Sequence, residues 1–185
     1  MTEQRIPALD PENLTDDQSD ALARINSIWG KPGNIGLTML NNPEVARGFM
    51  GFWQAIQRAG MSPMDHEVIC FEMATQNGCH YCIPAHRFSA TRRGLDLTLL
   101  ERIAAGEALE GDARPAVLQR LVRRLVAVRG GLDDAEFAAA RERFSEAELI
   151  AIVADIAHCM FTNIFNRLAR TEIDSHLPAE PAGSG

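Results

Sequence analysis

The sequence has no basic stripe, no alternating apolar runs and few cysteines, and each shortage excludes something. Its 18 Lys and Arg are outnumbered by 25 Asp and Glu, for a net charge of -7. No cationic face is left to track phosphates or an anionic bilayer, which excludes nucleic acid and membrane surfaces as main partners. Nowhere does a short run alternate apolar and polar residues between turn signals, so no strand is expected. No stretch approaches the roughly 18 apolar residues of a membrane span, and "MTEQRIPALDPENLTDDQSD" at the start holds no apolar leader core. The chain is therefore expected to be soluble and cytoplasmic. Four cysteines are too few for a disulfide-built secreted scaffold, and 185 residues can bury a core without them. In a reducing compartment a close pair points instead to redox chemistry or metal binding.

What is present is helix punctuation. Thr15 and Gln18 form a capping box for a helix to about Trp29, followed by the turn-rich "GKPGNIG". Asn42-Pro43 opens a helix that stops at Gly60, and Ser62-Pro63 opens another that stops at Asn77-Gly78. Further helices are expected from near His80 to Arg93, from Asp96 to Ala105, and from Pro115 to the Gly130-Gly131 pair. Asp133 caps "DAEFAAARERF", and Ser145 with Glu148 boxes the start of the longest helix, which runs to about Arg170. The fold class is all-α, a single-domain bundle of about eight helices. It is expected to cover residues 15–176, after an N-terminal extension (1–14) and before a flexible tail (177–185).

The chemistry concentrates in "QNGCHYCIPAH", residues 76–86. On a helical wheel Cys79, Cys82, His86 and Ser89 share one face, with Arg87 and Thr91 opposite. Both cysteines fall at a helix start, where free N–H groups and the positive end of the dipole stabilise a thiolate. Pro84 suits the same first turn, where its missing N–H costs little. In the preceding helix Asp65, Glu72 and Gln76 line one stripe, read as the water-facing side. Glu67 lies opposite, among Met64, Val68, Cys70, Phe71 and Ala74. A carboxylate on an apolar face must be paired, hydrogen-bonded or protonated. A thiolate, a second thiol within disulfide reach, a histidine and a semi-buried carboxylate make up the parts of dithiol redox chemistry.

Other readings compete. Structural zinc would use Cys79, Cys82 and His86 with His80 or Cys159, but no second CxxC or HxxxH completes a familiar clip. Cys70 and Cys159, each alone on an apolar helix, read as core residues. His80, beside Cys79, could tune it. His66, His158 and His176 read as surface or satisfied core residues, with His158 the one of interest. No metal and no cofactor is called for.

At these residues the sequence resembles the alkylhydroperoxidase D-like branch of the carboxymuconolactone decarboxylase family, in its peroxidase-related subgroup. The family signature is a glutamate, eleven residues, CxxC, three residues and a histidine, matched here by Glu67, Cys79, Cys82 and His86. "IPALDPENL", "NNPEVARGFMGFW" and "FTNIFNRLA" extend the likeness over nearly the whole chain. The resemblance implies an all-helical fold that assembles as trimers or hexamers, with the active site near a subunit interface. It also implies a dithiol that reduces hydroperoxides, a glutamate and histidine that relay protons, and a lipoylated or thioredoxin-like protein reductant. Family members that decarboxylate a muconolactone lack the cysteines. Better-studied relatives carry a histidine just before the second cysteine, where this chain has Tyr81, and its histidine is His80. On this basis Cys82, one turn before His86, is the attacking thiolate and Cys79 the resolving one; the reverse order stays open. The rival functions are a redox sensor or dithiol carrier with little turnover, and a zinc-clipped structural module.

Overall fold

The computed structural model describes residues 3–178, which contain nine helices and no strand. In chain order they are α1 (Asp16–Trp29), α2 (Gly33–Met39), α3 (Pro43–Gln57), α4 (Pro63–Asn77), α5 (Cys82–Arg92), α6 (Leu97–Ala104), α7 (Arg114–Ala127), α8 (Asp134–Arg141) and α9 (Glu146–Ala169). The capping boxes at Thr15 and Ser145 and the Asn42 and Ser62 caps form as the sequence predicts. The helix beyond the expected eight is α2, which occupies the stretch read as turns. Two glycines and Pro32 weaken its helix signal, but burial of Ile35, Thr38 and Met39 against α1 and α3 overrides propensity.

The bundle is built around α4, which packs against α5, α6, α7 and α9. Ten consecutive residues, Asp65 to Ala74, are buried, so α4 has no water-facing side, contrary to the stripe expected for Asp65, Glu72 and Gln76. Of those three only Gln76 is exposed. The wheel misled because the two acids are neutralised from another helix. Arg114 on α7 donates to Asp65 at 2.9 Å, and Arg123 grips Glu72 with two hydrogen bonds of 2.7 and 3.0 Å. Gln119 donates to Glu72 at 2.6 Å. Buried carboxylates persist where such partners satisfy them. Arg87, expected on the face away from the site, is likewise buried and paired with Glu101 through bonds of 2.5 and 2.8 Å.

Two apolar cores meet along α4. One gathers Val68, Ile69, Phe71 and Met73 with α6, α7 and α9, and the other gathers Ala74, Cys79, Tyr81 and Cys82 with α1, α2 and α3. The helix α9 flanks both. Its Ala151, Ile152, Asp155, His158, Cys159, Thr162, Asn163 and Asn166 are buried, while Ile150, Val153, Phe161, Ile164 and Leu168 stay exposed. Apolar residues on both faces make α9 long and apolar enough to cross a membrane by length and composition, with a mean hydropathy of 1.5 over its best window. That corrects the expectation that no stretch comes near a span. Its buried Asp, His and Asn side chains mark a core helix instead. Residues before α1 lie along the bundle, with Arg5 N–H donating to the Ala169 carbonyl at 2.7 Å and Leu9 N–H to Leu37 at 3.1 Å. Of the tail expected at 177–185, residues 179–185 lie outside the described residues.

Candidate active site

The turn between α4 and α5 sets the cysteines. Gly78 takes the left-handed conformation (φ 59°) that ends α4, and its neighbour Cys79 bonds back to the Ala74 carbonyl at 2.9 Å. Tyr81 is the N-cap and Cys82 the first residue of α5, two residues later than the start expected near His80. Cys79 and Cys82 are joined as a disulfide with their Cα atoms 5.4 Å apart, and both are buried. From α9 the side-chain amides of Asn163 and Asn166 donate to Cys82 Sγ at 3.2 and 3.5 Å. Two N–H dipoles and a helix start thus converge on one sulfur, and the same donors would favour its thiolate after reduction.

Glu67 is fully buried, on the apolar side where the wheel places it. His86 Nδ1–H donates to one carboxylate oxygen at 3.0 Å and Ser89 Oγ–H to the other at 2.9 Å. Burial works to raise its pKa, but His86 foremost, then His66 and Ser89, outweigh burial and hold it below the ordinary carboxylate value. With Nδ1 carrying a proton toward Glu67, His86 keeps Nε2 as its second proton-exchange nitrogen. The His86 side chain is 18% exposed, so the Glu67–His86 pair has one end in reach of solvent. Glu67 and His86 thus form a bonded pair, with His86 one turn of α5 beyond Cys82.

His80 and Tyr81 do not join it. His80 is exposed, and its Nε2–H donates to the Thr171 carbonyl at 2.9 Å. Tyr81 is buried with its hydroxyl donated to Asp174 at 2.5 Å. Burial and the bond to Asp174 push the phenol well above its usual pKa. Gly33 makes room for this pair, since a Cβ there would lie 3.1 Å from the Tyr81 hydroxyl and 3.2 Å from Asp174, at a φ of 58°. Tyr81 therefore ties the start of α5 to the C-terminal segment.

Beside the Glu67–His86 pair lies a second polar cluster. His66 Nδ1–H donates to Asp155 at 2.7 Å, and His158 Nδ1 stands 3.6 Å from the other oxygen of the same carboxylate. Cys70 and Cys159 touch, with their sulfurs 3.2 Å apart, so neither is a lone core cysteine. Burial pushes the Cys70 thiol up. The hydrogen bond from Cys70, with His158 adding to it, holds Cys159 below the usual thiol range despite burial. His158 also stacks on Phe49 with ring centres 5.1 Å apart. Asn163, Asn166 and Asp155 were not singled out from sequence. Their signal was available as polar residues on one side of the apolar α9, two of them inside "FTNIFNRLA".

The fold is shared with proteins of known structure. Two solved structures of peroxidase-related proteins superpose over almost the whole chain. One, from Ralstonia eutropha JMP134, is described as an alkylhydroperoxidase AhpD core; it is 20% identical, has a TM-score of 0.77, and the match covers 93% of each chain. The other, from Silicibacter sp. TM1040, is 18% identical with a TM-score of 0.78, covering 96% of this chain and 97% of that one. The debrominase Bmp8 shares the fold at 20% identity and a TM-score of 0.72, over 92% of each chain. No curated protein matches the chain. The architecture is thus the all-α AhpD-like fold. Residues 43–114, which contain Glu67, both paired cysteines and His86, match the model of the carboxymuconolactone decarboxylase family.

Proposed function

We propose that the protein is a thiol-dependent peroxidase that reduces organic hydroperoxides through a Cys79–Cys82 dithiol/disulfide cycle. The observation that carries the reading is the buried Glu67 carboxylate bonded to His86, on the helix that Cys82 opens beside Cys79. Cys82 is the attacking group because the amides of Asn163 and Asn166 reach its sulfur. Its thiolate attacks the outer peroxide oxygen, the O–O bond breaks, and the alcohol leaves with a proton delivered through His86. The Cys79 thiol then condenses with the Cys82 sulfenic acid, releasing water and forming the disulfide. In sum a hydroperoxide and two thiols give an alcohol, water and one disulfide. Two electrons from a lipoylated or thioredoxin-like protein reductant, in the cytoplasm, restore the dithiol. Glu67 holds His86 in its tautomer and takes up and returns the transferred proton. His80 and Tyr81 act in support, by anchoring the turn that carries the cysteines to the C-terminal segment.

The same reading includes a homo-oligomer, a trimer or hexamer. What supports assembly is the exposed row of Ile150, Val153, Phe161, Ile164 and Leu168 along α9, an apolar stripe at helical spacing.

The test is steady-state consumption of cumene hydroperoxide with a dihydrolipoamide donor, comparing the wild type with Cys82→Ser and Cys79→Ser. Turnover that survives Cys82→Ser sinks the assignment. Thiol oxidation no faster than that of free cysteine would support the sensor or carrier reading instead. A parallel arm with 2,3,4-tribromopyrrole separates peroxide reduction from the dehalogenation named for Bmp8, whose cysteine-to-alanine variant was solved with that compound.

A further inference from the structure

Cys70 on α4 and Cys159 on α9 are each 1% exposed, and their sulfurs stand 3.2 Å apart. They are the two free cysteines of the chain, 89 residues apart, and the packing of α4 on α9 brings them together. Two apolar side chains would fill the same space without the polar groups that surround this pair. His158 Nδ1 stands 3.9 Å from Cys159 Sγ and 3.6 Å from the fully buried Asp155. Among the described residues, His158 Nε2 has no hydrogen-bond partner. His158 also borders a cavity of about 280 Å³ whose other walls include Val45, Phe49, Phe52 and Phe161. A molecule in this apolar cavity is separated from Cys159 by the imidazole. None of these groups has a part in the proposed chemistry at Cys82.

We propose that Cys70 and Cys159 are a second dithiol/disulfide site, oxidised by an organic hydroperoxide to a bond that clamps α4 to α9. From the present separation, a disulfide of about 2.05 Å needs about 1 Å of closure, which side-chain rotation supplies. The hydrogen bond from Cys70 holds the Cys159 thiol below its usual range, while burial pushes the Cys70 thiol up, so Cys159 attacks and Cys70 resolves. Burial works against the imidazolium of His158, but Asp155 and Cys159 outweigh it and raise its pKa to about 9. The Cys159 thiolate takes the outer peroxide oxygen, the O–O bond breaks, and the alcohol leaves with a proton from His158. The Cys70 thiol then condenses with the Cys159 sulfenic acid, forming the S–S bond and releasing water. Two thiols and one hydroperoxide thus give one disulfide, one alcohol and one water. The bond pins the helix that carries Glu67, three residues before Cys70, to the helix whose Asn163, one turn after Cys159, reaches Cys82. Because both sulfurs are sealed from water, this oxidation is slow and follows that of the CxxC pair.

The second site is tested without the first. The full chain carrying Cys79→Ser and Cys82→Ser keeps Cys70 and Cys159 as its only thiols. It is reduced, freed of reductant and treated with excess cumene hydroperoxide. Expected are the loss of both thiols to a thiol reagent, a cross-linked Cys70–Cys159 peptide in the map, and a Tm higher by about 5–15 °C that dithiothreitol reverses. The wild type should reach both disulfides in two phases, the slower one matching the double variant. Adding Cys70→Ser to the double variant should leave a Cys159 sulfenic acid that dimedone labels, with no rise in Tm. Two thiols that still titrate after hours in the native state would overturn the proposal. So would oxidation to sulfinic acid without a cross-link, or a cross-link that leaves Tm unchanged. If the double variant does not fold, the slow phase and the peptide map of the wild type decide in the same way.

Discussion

The molecule holds two cysteine pairs, built on opposite principles. Cys79 and Cys82 are three residues apart, at a helix start, with partially exposed His86 on the next turn. Cys70 and Cys159 are 89 residues apart, in the middle of two packed helices, with Asp155 and two buried histidines around them. The first pair has a local turn that brings its sulfurs together, a donor set aimed at one of them, and a carboxylate–histidine pair one turn on that reaches water. The second is held by the packing of α4 on α9 and has no such outlet. Position in the fold, more than cysteine identity, separates a pair suited to turnover from one suited to holding the core.

The largest expected effect falls on the first pair. Cys82→Ser removes peroxide turnover, whereas the same change at Cys159 leaves the thiols and relay of that site in place, and steady-state rates compare the two directly. Glu67→Gln keeps the shape and hydrogen bonds around His86 but removes the charge, and should lower kcat/KM about 10²-fold or more, the usual worth of a positioned acid–base group. A fall confined to KM would contradict the relay.

The second pair should answer in stability. Asp155→Ala leaves His66 and His158 without their buried counter-charge and is expected to cost about 3–5 kcal/mol by urea unfolding. An effect below about 1 kcal/mol, the range of an exposed ion pair, would show that the cluster is wet.

A smaller effect tests the frame that holds the CxxC turn. Tyr81 is the one tyrosine in the chain, so its ionisation can be followed by absorbance without interference from another phenol. Its folded pKa is raised above the unfolded value, so the bond to Asp174 contributes fully below the unfolded pKa of about 10. That contribution is lost only as pH rises toward the folded value. No phenolate band should grow at about pH 11 until the chain unfolds. Tyr81→Phe should cost about 1.5–3 kcal/mol, the range for a hydrogen bond to a charged group. On the outer face of α9, Ile164→Lys should shift light-scattering mass toward the monomer with little change in the fold.

How much of this could be read beforehand follows the same division. The caps at Thr15, Asn42, Ser62, Asp133 and Ser145 are signals within four residues, and each starts a helix. The motif from Glu67 to His86 was legible because its members sit on consecutive elements joined by a single turn. What stayed hidden depends on partners far along the chain. Asp65 and Glu72 looked solvent-facing because the arginines that neutralise them lie on α7, and Cys70 looked solitary because Cys159 lies on α9. The short α2 was masked by glycines whose helix cost is met by burial. Tyr81, the departure from the better-studied relatives, is bonded to Asp174, 93 residues away.

The central claim is that Cys82, served by Glu67 through His86, makes this fold a peroxidase. Stopped-flow oxidation of the fully reduced chain by cumene hydroperoxide, quenched and mapped for disulfides, tests it most directly. The account predicts oxidation orders of magnitude faster than that of free cysteine, yielding a Cys79–Cys82 disulfide with Cys70 and Cys159 still reduced. Oxidation at the rate of free cysteine, or first at Cys159, would contradict it.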